Sequence, residues 1–332
     1  MSKLDTLKDA IREALPRLDV MLAWGTGPDA LHAAPLFIRT EADLDRMVLG
    51  PTCVHNLARY LTDLRGQKVG IVAKGCDSRT IKVGIVAKGC DSRTIVELIQ
   101  ENLIDRDEIT VFGLSCSGVV SPAEVLRLAG CGHADAISMD GDNVTVTCGA
   151  ETHVLRREQV LAEKCRSCAY PDALLADKFI GERSGAVDAP LTPGRTLAML
   201  EDMDEPARFA FWEEQMSRCI RCYACRNACP LCVCRDQCAA QTRDPHWVTQ
   251  EDHPREKLMF QIMHTLHTAG RCTECGECER ACPMDIPILA LRQKMNREIN
   301  RLFDYAAGTD TTATPPLLDF REEEPTIKER SW

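Results

Sequence analysis

Aromatic residues are scarce in this chain, at 5% of 332 residues, and positive charge is outweighed, with a formal net charge of −10. Together these argue against a nucleic-acid partner. Phosphate binding needs concentrated Lys and Arg, and base stacking needs rings. No run of eighteen apolar residues is present, so no helix of membrane-spanning length is expected. The opening MSKLDTLKDAIREALPRLD has neither an apolar h-region nor a cleavage signal. The expectation is a cytoplasmic chain. There is no G-x-G-x-x-G; Gly25-Thr26-Gly27 alone is a weak dinucleotide signal. No nucleophile–base pair or acid–base carboxylate couple stands out either.

Cysteine is what the chain has in excess, with 19 residues. In an unexported chain that points to metal ligation in a reducing compartment rather than to a disulfide framework. Cys219, Cys222, Cys225 and Cys229 are spaced C-x2-C-x2-C-x3-C and followed by Pro230. Cys272, Cys275, Cys278 and Cys282 repeat the spacing before Pro283. This is the bacterial pattern for two [4Fe–4S] clusters, in which the fourth cysteine of each run serves the other cluster. The expected sets are Cys219, Cys222, Cys225 with Cys282, and Cys272, Cys275, Cys278 with Cys229. Structural zinc uses paired C-x2-C or mixes cysteine with histidine, and does not require two such runs.

Elsewhere, strands are expected at Val20–Trp24, Val83–Ala87 and Ile109–Leu114, with helices from Leu4, at 41–48, 53–64 and 92–102, and from Pro122. Ser2 and Asp5 form a candidate capping pair. Asp140-Gly141-Asp142-Asn143 is turn chemistry ahead of a hairpin strand at 144–147. The reading is an α/β domain over 1–190 with a mainly parallel sheet, then a mostly α-helical dicluster ferredoxin domain over 191–300. The Gly- and Pro-rich stretch 182–196 is the expected linker, and 301–332 an exposed tail. A helix over 257–269 separates the two cysteine runs.

Lys68 to Ile81 (KVGIVAKGCDSRTI) recurs unchanged at Lys82 to Ile95. A perfect short copy is not a repeat architecture, whose units are larger and diverged. The second copy leads into a helix, so Cys90 is expected at the working position; Cys76, in the first copy, is the alternative. Cys90 and Cys116 each follow a strand, and Cys165 and Cys168 form a C-x2-C. Loops after parallel strands gather at one sheet edge, so these four can make a third thiolate site.

The order GC-D, L-x-C-x-G, then C-x2-C before ADKFIGE resembles the beta-subunit family of coenzyme F420-reducing hydrogenases and related dehydrogenases. CIRCYACRNACP and GRCTECGECERACP are similar to the dicluster modules of heterodisulfide-reductase-type complexes. The resemblance implies a third [4Fe–4S] cluster on Cys90 (or Cys76), Cys116, Cys165 and Cys168, beside a flavin (FAD). The segment before the first of these cysteines is shorter here than in flavin-bearing members.

Other residues carry two readings. Cys232, Cys234 and Cys238 are alternate ligands or packed small residues. Cys53, Cys131 and Cys148 are expected as buried thiols, with Cys53 a candidate for a helix-start thiolate. His264 and His267 could tune a cluster through sulfur or simply line a helix face. Lys88 and Arg93 are solvated loop charges or contacts to a flavin phosphate. Arg218, Arg221, Arg226 and Arg271 surround the cluster loops. The expected function is an electron-transfer subunit of an anaerobic redox complex, with other subunits or a soluble carrier as partners. The alternatives are hydride exchange with F420 or a nicotinamide at a bound flavin, and an adaptor with structural clusters.

Overall fold

A computed structural model describes residues 2–65, 68–69, 79–185, 194–234, 237–241, 247–249 and 251–320. Cys76, part of the 182–196 stretch and the end of the tail lie outside these. The strands among the described residues are β1 (Val20–Gly25), β2 (Ala34–Ile38), β3 (Lys68–Val69), β4 (Arg79–Thr80), β5 (Val83–Ala87), β6 (Ile109–Leu114), β7 (Ala136–Asp140), β8 (Asn143–Cys148), β9 (Glu151–Arg156) and β10 (Lys178–Ile180).

The main sheet has the order β10-β6-β5-β1-β2. β10, β6, β5 and β1 run parallel, in register Phe112↔Lys178, Val83↔Ile109 and Val20↔Val83. β1 and β5 are buried along their whole lengths, as expected for parallel strands covered on both faces. β2, antiparallel to β1, is an edge strand that the sequence reading did not anticipate. Pro35 within it costs no ladder bond if its missing donor faces outward.

The first helix, Lys3–Ala14, opens with the Ser2–Asp5 capping box and buries Leu7, Ala10, Ile11 and Ala14. That i, i+3, i+4, i+7 stripe is why it lies on the sheet. Burying each large aliphatic there contributes about 1.5–3 kcal/mol. The expected helices at 41–48 and 53–64 are shorter and tighter: 3-10 turns at Glu41–Arg46 and Leu57–Tyr60, then one α turn at Leu61–Leu64. Cys53 and the residues around it are irregular, because their donors and acceptors serve the neighbouring site.

β7, β8 and β9 form a separate antiparallel sheet, with Asp140 opposite Asn143 across the expected turn. The module after residue 194 is helical, with Arg195–Asp202, Glu205–Arg218, Pro254–His267 and Leu289–Phe303 as its main helices. Its core includes Trp212, Met216, Phe260 and Ile288. The last helix crosses residue 300, and the chain beyond it packs on the α/β domain. Gln100 donates to the carbonyls of Asp310 (2.7 Å) and Ala313 (2.5 Å).

Candidate metal centres and their junction

The two cysteine loops are built alike, fifty-odd residues apart. Arg221 and Glu274, each two residues after the first cysteine, have φ of 51° and 55°. Tyr223 and Gly276, each just after the second cysteine, have φ of 60° and 73°. Left-handed backbone is uncommon for residues other than glycine. Its recurrence at matched positions turns the chain so that three cysteines converge. A short helix follows in each loop, Ala224–Ala228 and Glu277–Arg280. The fourth cysteines close equivalent turns, Cys229 N to Arg226 O at 3.3 Å and Cys282 N to Glu279 O at 3.0 Å.

Cys219, Cys222, Cys225 and Cys282 line one cavity together with Phe260, Ile286 and Ile288. Arg221 N donates to Cys219 Sγ at 3.4 Å, and Gln261 Nε2 to Cys225 Sγ at 3.6 Å. Cys229 lies instead within electrostatic reach of Cys272, Cys275 and Cys278. Cys282 of the second run thus joins the cavity of the first, while Cys229 lies directly beside Cys232 and His264. Cys275 and Cys278 are buried, whereas Cys222 is exposed.

Cys90, Cys116, Cys165 and Cys168 line a cavity of about 320 Å³. Cys90 sits at the start of the helix Gly89–Gln100 directly after β5, and Cys116 just after β6. These are adjacent parallel strands, so both thiols emerge at the same edge. Cys116 N donates to Pro171 O at 2.9 Å, which fixes the loop after Cys168. The Gly118 and Val119 amides donate to Cys116 Sγ and Cys165 Sγ, both at 3.4 Å. Gly89 has to be glycine here: a Cβ would stand 1.7 Å from Tyr170 O.

Burial pushes the Cys90 and Cys272 thiols up to about 12. Free thiols there stay protonated, and a metal's charge is what makes them ligands. Four convergent thiols in each of these places, with backbone amides aimed at the sulfurs, fit [4Fe–4S] ligation. Arg292 adds to the fit. It is buried, yet neither Nη has a hydrogen-bond partner among the described residues. A buried cation calls for nearby anionic charge.

The third site and the second cysteine loop share a wall. Thr273 and Glu274, between Cys272 and Cys275, line the same cavity as Cys90. Thr94 Oγ1 bonds both Cys90 O (3.0 Å) and Thr273 Oγ1 (2.9 Å). Arg93 Nη1 donates to Thr273 O at 3.2 Å. Lys164, beside Cys165, donates to Cys275 O at 2.9 Å and Val54 O at 2.7 Å. Glu277 accepts from the Asn56 amide at 3.1 Å and is held below the usual carboxylate range, against its own burial, by Arg280 and Lys164.

Several single-residue expectations need correction. Cys131 and Cys148 are neither buried nor free: they are bonded to each other, with Cα atoms 6.4 Å apart. Proximity across the turn before β7 and the end of β8 brings together what sequence spacing kept apart. Lys88 and Arg93 are not solvated loop charges. Lys88 is 4% exposed; its Nζ donates to Cys53 O and His55 O and lies 4.0 Å over the Trp24 ring. Arg93 grips Ala307 O and stacks on Tyr170. Cys53 is a packed thiol pushed up to about 11 by burial, and it begins no helix.

His264 is buried, with Nε2 3.1 Å from Cys232 Sγ, whereas His267 is exposed. Cys229, Cys232 and His264 form one tight group. Cys234 is exposed and Cys238 packs on the apolar core. Arg271 is paired with Glu101, Arg218 bonds Met284 O, Arg221 bonds Thr249 O and Arg226 bonds Cys234 O. Sequence reasoning missed Lys164, Glu277, Gln261 and Arg292. No sequence signal marks Arg292, whose burial comes from packing.

Residues 215–286 match the model of the 4Fe-4S dicluster domain. The chain is 24% identical to the F420-dependent formate dehydrogenase subunit beta of Methanocaldococcus jannaschii, over 91% of this chain and 90% of that protein. It is 25% identical to F420-dependent formate dehydrogenase 1 subunit beta of Methanococcus maripaludis, over 90% and 89%. The F420-reducing [NiFe] hydrogenase complex from Methanosarcina barkeri overlaps 53% of this chain and 64% of its own, with TM-score 0.39 and 16% identity. The resemblance drawn from short motifs thus extends along nearly the whole chain.

Proposed function

We propose that this chain is an iron–sulfur electron-transfer subunit of an oxidoreductase complex, of the formate dehydrogenase, hydrogenase or heterodisulfide-reductase kind, working in the cytoplasm. Two [4Fe–4S] clusters belong to the ferredoxin module and a third to the α/β domain, and bound clusters supply one-electron transfer. Cys219, Cys222, Cys225 and Cys282 hold the first; Cys272, Cys275, Cys278 and Cys229 the second; Cys90, Cys116, Cys165 and Cys168 the third.

The observation that carries the reading is the shared wall. The cavity lined by the third set includes Thr273 and Glu274 of the second. The Cys90–Thr94–Thr273 hydrogen bonds and the Lys164–Cys275 bond run directly between the two sets. That orders the sites along the chain's relay as third, second, first. Cys222 of the first set and Cys168 of the third are both exposed, so each end of the relay is open to another subunit or carrier. The residues between the sites hold the spacing fixed and exclude water.

Iron and acid-labile sulfide from anaerobically purified protein test this. About twelve irons per chain are expected, four for each of three clusters. Reductive titration followed by electron paramagnetic resonance should show all three responding. Clusters silent across the physiological range would support an adaptor instead.

A second reading has one observation in its favour. The cavity of about 320 Å³ is also lined by Lys88, Arg93, Arg157 and Lys164; each already donates to a backbone carbonyl, so their contribution to a phosphorylated cofactor would be charge rather than free donors. On that reading a flavin binds beside the third cluster and exchanges hydride with F420 or a nicotinamide. Flavin absorbance after full cofactor loading separates the two: none released removes the second.

A further inference from the structure

We propose that the Arg292 guanidinium lies between the two ferredoxin-type sites and sets the reduction potentials of both, which rests on the cluster assignment above. Arg292 is in the first turn of the helix Leu289–Phe303, directly after Ile286 and Ile288, which line the Cys219/Cys222/Cys225/Cys282 cavity. It is 2% exposed. Nη1 and Nη2 have no hydrogen-bond partner, and no carboxylate pairs with it, among the described residues.

Arg271 and Arg280 are paired with the carboxylates of Glu101 and Glu277, whereas Arg218, Arg221 and Arg226 meet carbonyls near the surface. The helix itself places Arg292 between the two sites: Ile288, one turn before it, lines the first cavity, and Asn296, one turn after it, donates to Cys272 O of the second set at 2.7 Å. A four-thiolate cluster becomes more negative on reduction, so a fixed cation in low dielectric favours the reduced form. One cation reaching both sites favours reduction at both.

The arrangement predicts that Arg292→Gln lowers both ferredoxin-module potentials, shifting each one-electron equilibrium about tenfold or more, or about 59 mV. Arg292→Lys, which keeps the charge, should restore most of the shift. The third cluster, bound by the α/β domain, serves as the internal reference and should not move. The measurement is a redox titration of anaerobic full-length protein by electron paramagnetic resonance, with iron counted on each sample. Wild-type protein without cubane signals sinks the cluster assignment itself. Fully loaded Arg292→Gln with unchanged potentials overturns the role of Arg292 and leaves that assignment standing. If Arg292→Gln fails to load while Arg292→Lys loads, the charge is needed to hold the anionic centres, and the inference stands. Loss of loading in both variants makes Arg292 a packing residue and overturns it.

Discussion

Replacing Gly89 by alanine should remove one metal centre and leave two. The added Cβ would stand 1.7 Å from Tyr170 O, 2.8 Å from Tyr170 C and 3.1 Å from Asp172 O. All three are backbone atoms, so no side chain can swing aside. The 170–172 segment must retreat by over an ångström. Pro171 O accepts from Cys116 N at 2.9 Å, and the Asp172 carboxylate accepts from the Ser184 and Gly185 amides at 3.1 and 3.0 Å. Retreat therefore disturbs the settings of Cys116 and Cys168 together. Overpacking costs about 1–3 kcal/mol, and losing the Cys116–Pro171 bond adds about 0.5–1.5 kcal/mol. The total, roughly 1.5–4.5 kcal/mol, falls on one site and spares the ferredoxin loops. Iron should drop from about twelve to about eight per chain, with two of three cluster signals kept. Gly132→Ala, which meets nothing within 4 Å, is the control. A Gly89→Ala protein with full iron and unchanged unfolding would refute the reasoning.

Three further outcomes are expected. Lys164→Met removes two charge-assisted bonds from part-buried carbonyls, at Val54 and Cys275, and should cost about 2–4 kcal/mol in anaerobic denaturant unfolding; a loss under 0.5 kcal/mol would mean that the amine does not tie the domains. Glu97 is buried beside Glu101, and burial pushes it up to about 8 against an ordinary 4.5. The folded chain keeps that proton where the unfolded chain has lost it, so this contribution to stability is full below pH 4.5 and fades as pH rises through 8. Glu97→Gln should therefore flatten the pH 6–9 stability profile and gain about 1–3 kcal/mol at pH 9; parallel profiles for the two proteins would contradict this. Deleting Lys68–Ile81 excises a segment whose ends are paired, Lys68 opposite Thr80, and leaves β5 and Cys90 in place. All three clusters should survive, whereas a fall to about eight irons would identify Cys76 as the ligand.

Much of the site was legible because ligand spacing is local. The C-x2-C-x2-C-x3-C runs specify their own loops, and Cys282 lines the same cavity as Cys219, Cys222 and Cys225. β1, β5 and β6 were legible as apolar runs, and their parallel order places Cys90 beside Cys116. What stayed hidden depends on contacts between distant segments. β2 is too short and too interrupted by Pro35 to read as a strand without β1 beside it. Arg221, Tyr223 and Glu274 take left-handed backbone that their side chains do not advertise. Cys131 and Cys148 meet only because the second sheet folds back. Arg292 looks like any helix charge until the packing buries it, and Lys88 like a loop charge until the 53–55 carbonyls close over it.

The wall of the third cavity has a consequence for the timing of biosynthesis. Its first cysteine is residue 90, but Asn296, Ile299, Asn300, Tyr305, Ala306 and Ala307 also line it. A ribosome has translated nine-tenths of the chain before those residues exist. The α/β domain can form its sheet early, yet its metal pocket stays open on one side until the last helix docks. The thiols of Cys90, Cys116, Cys165 and Cys168 therefore stay reachable from that side until the C-terminal segment packs.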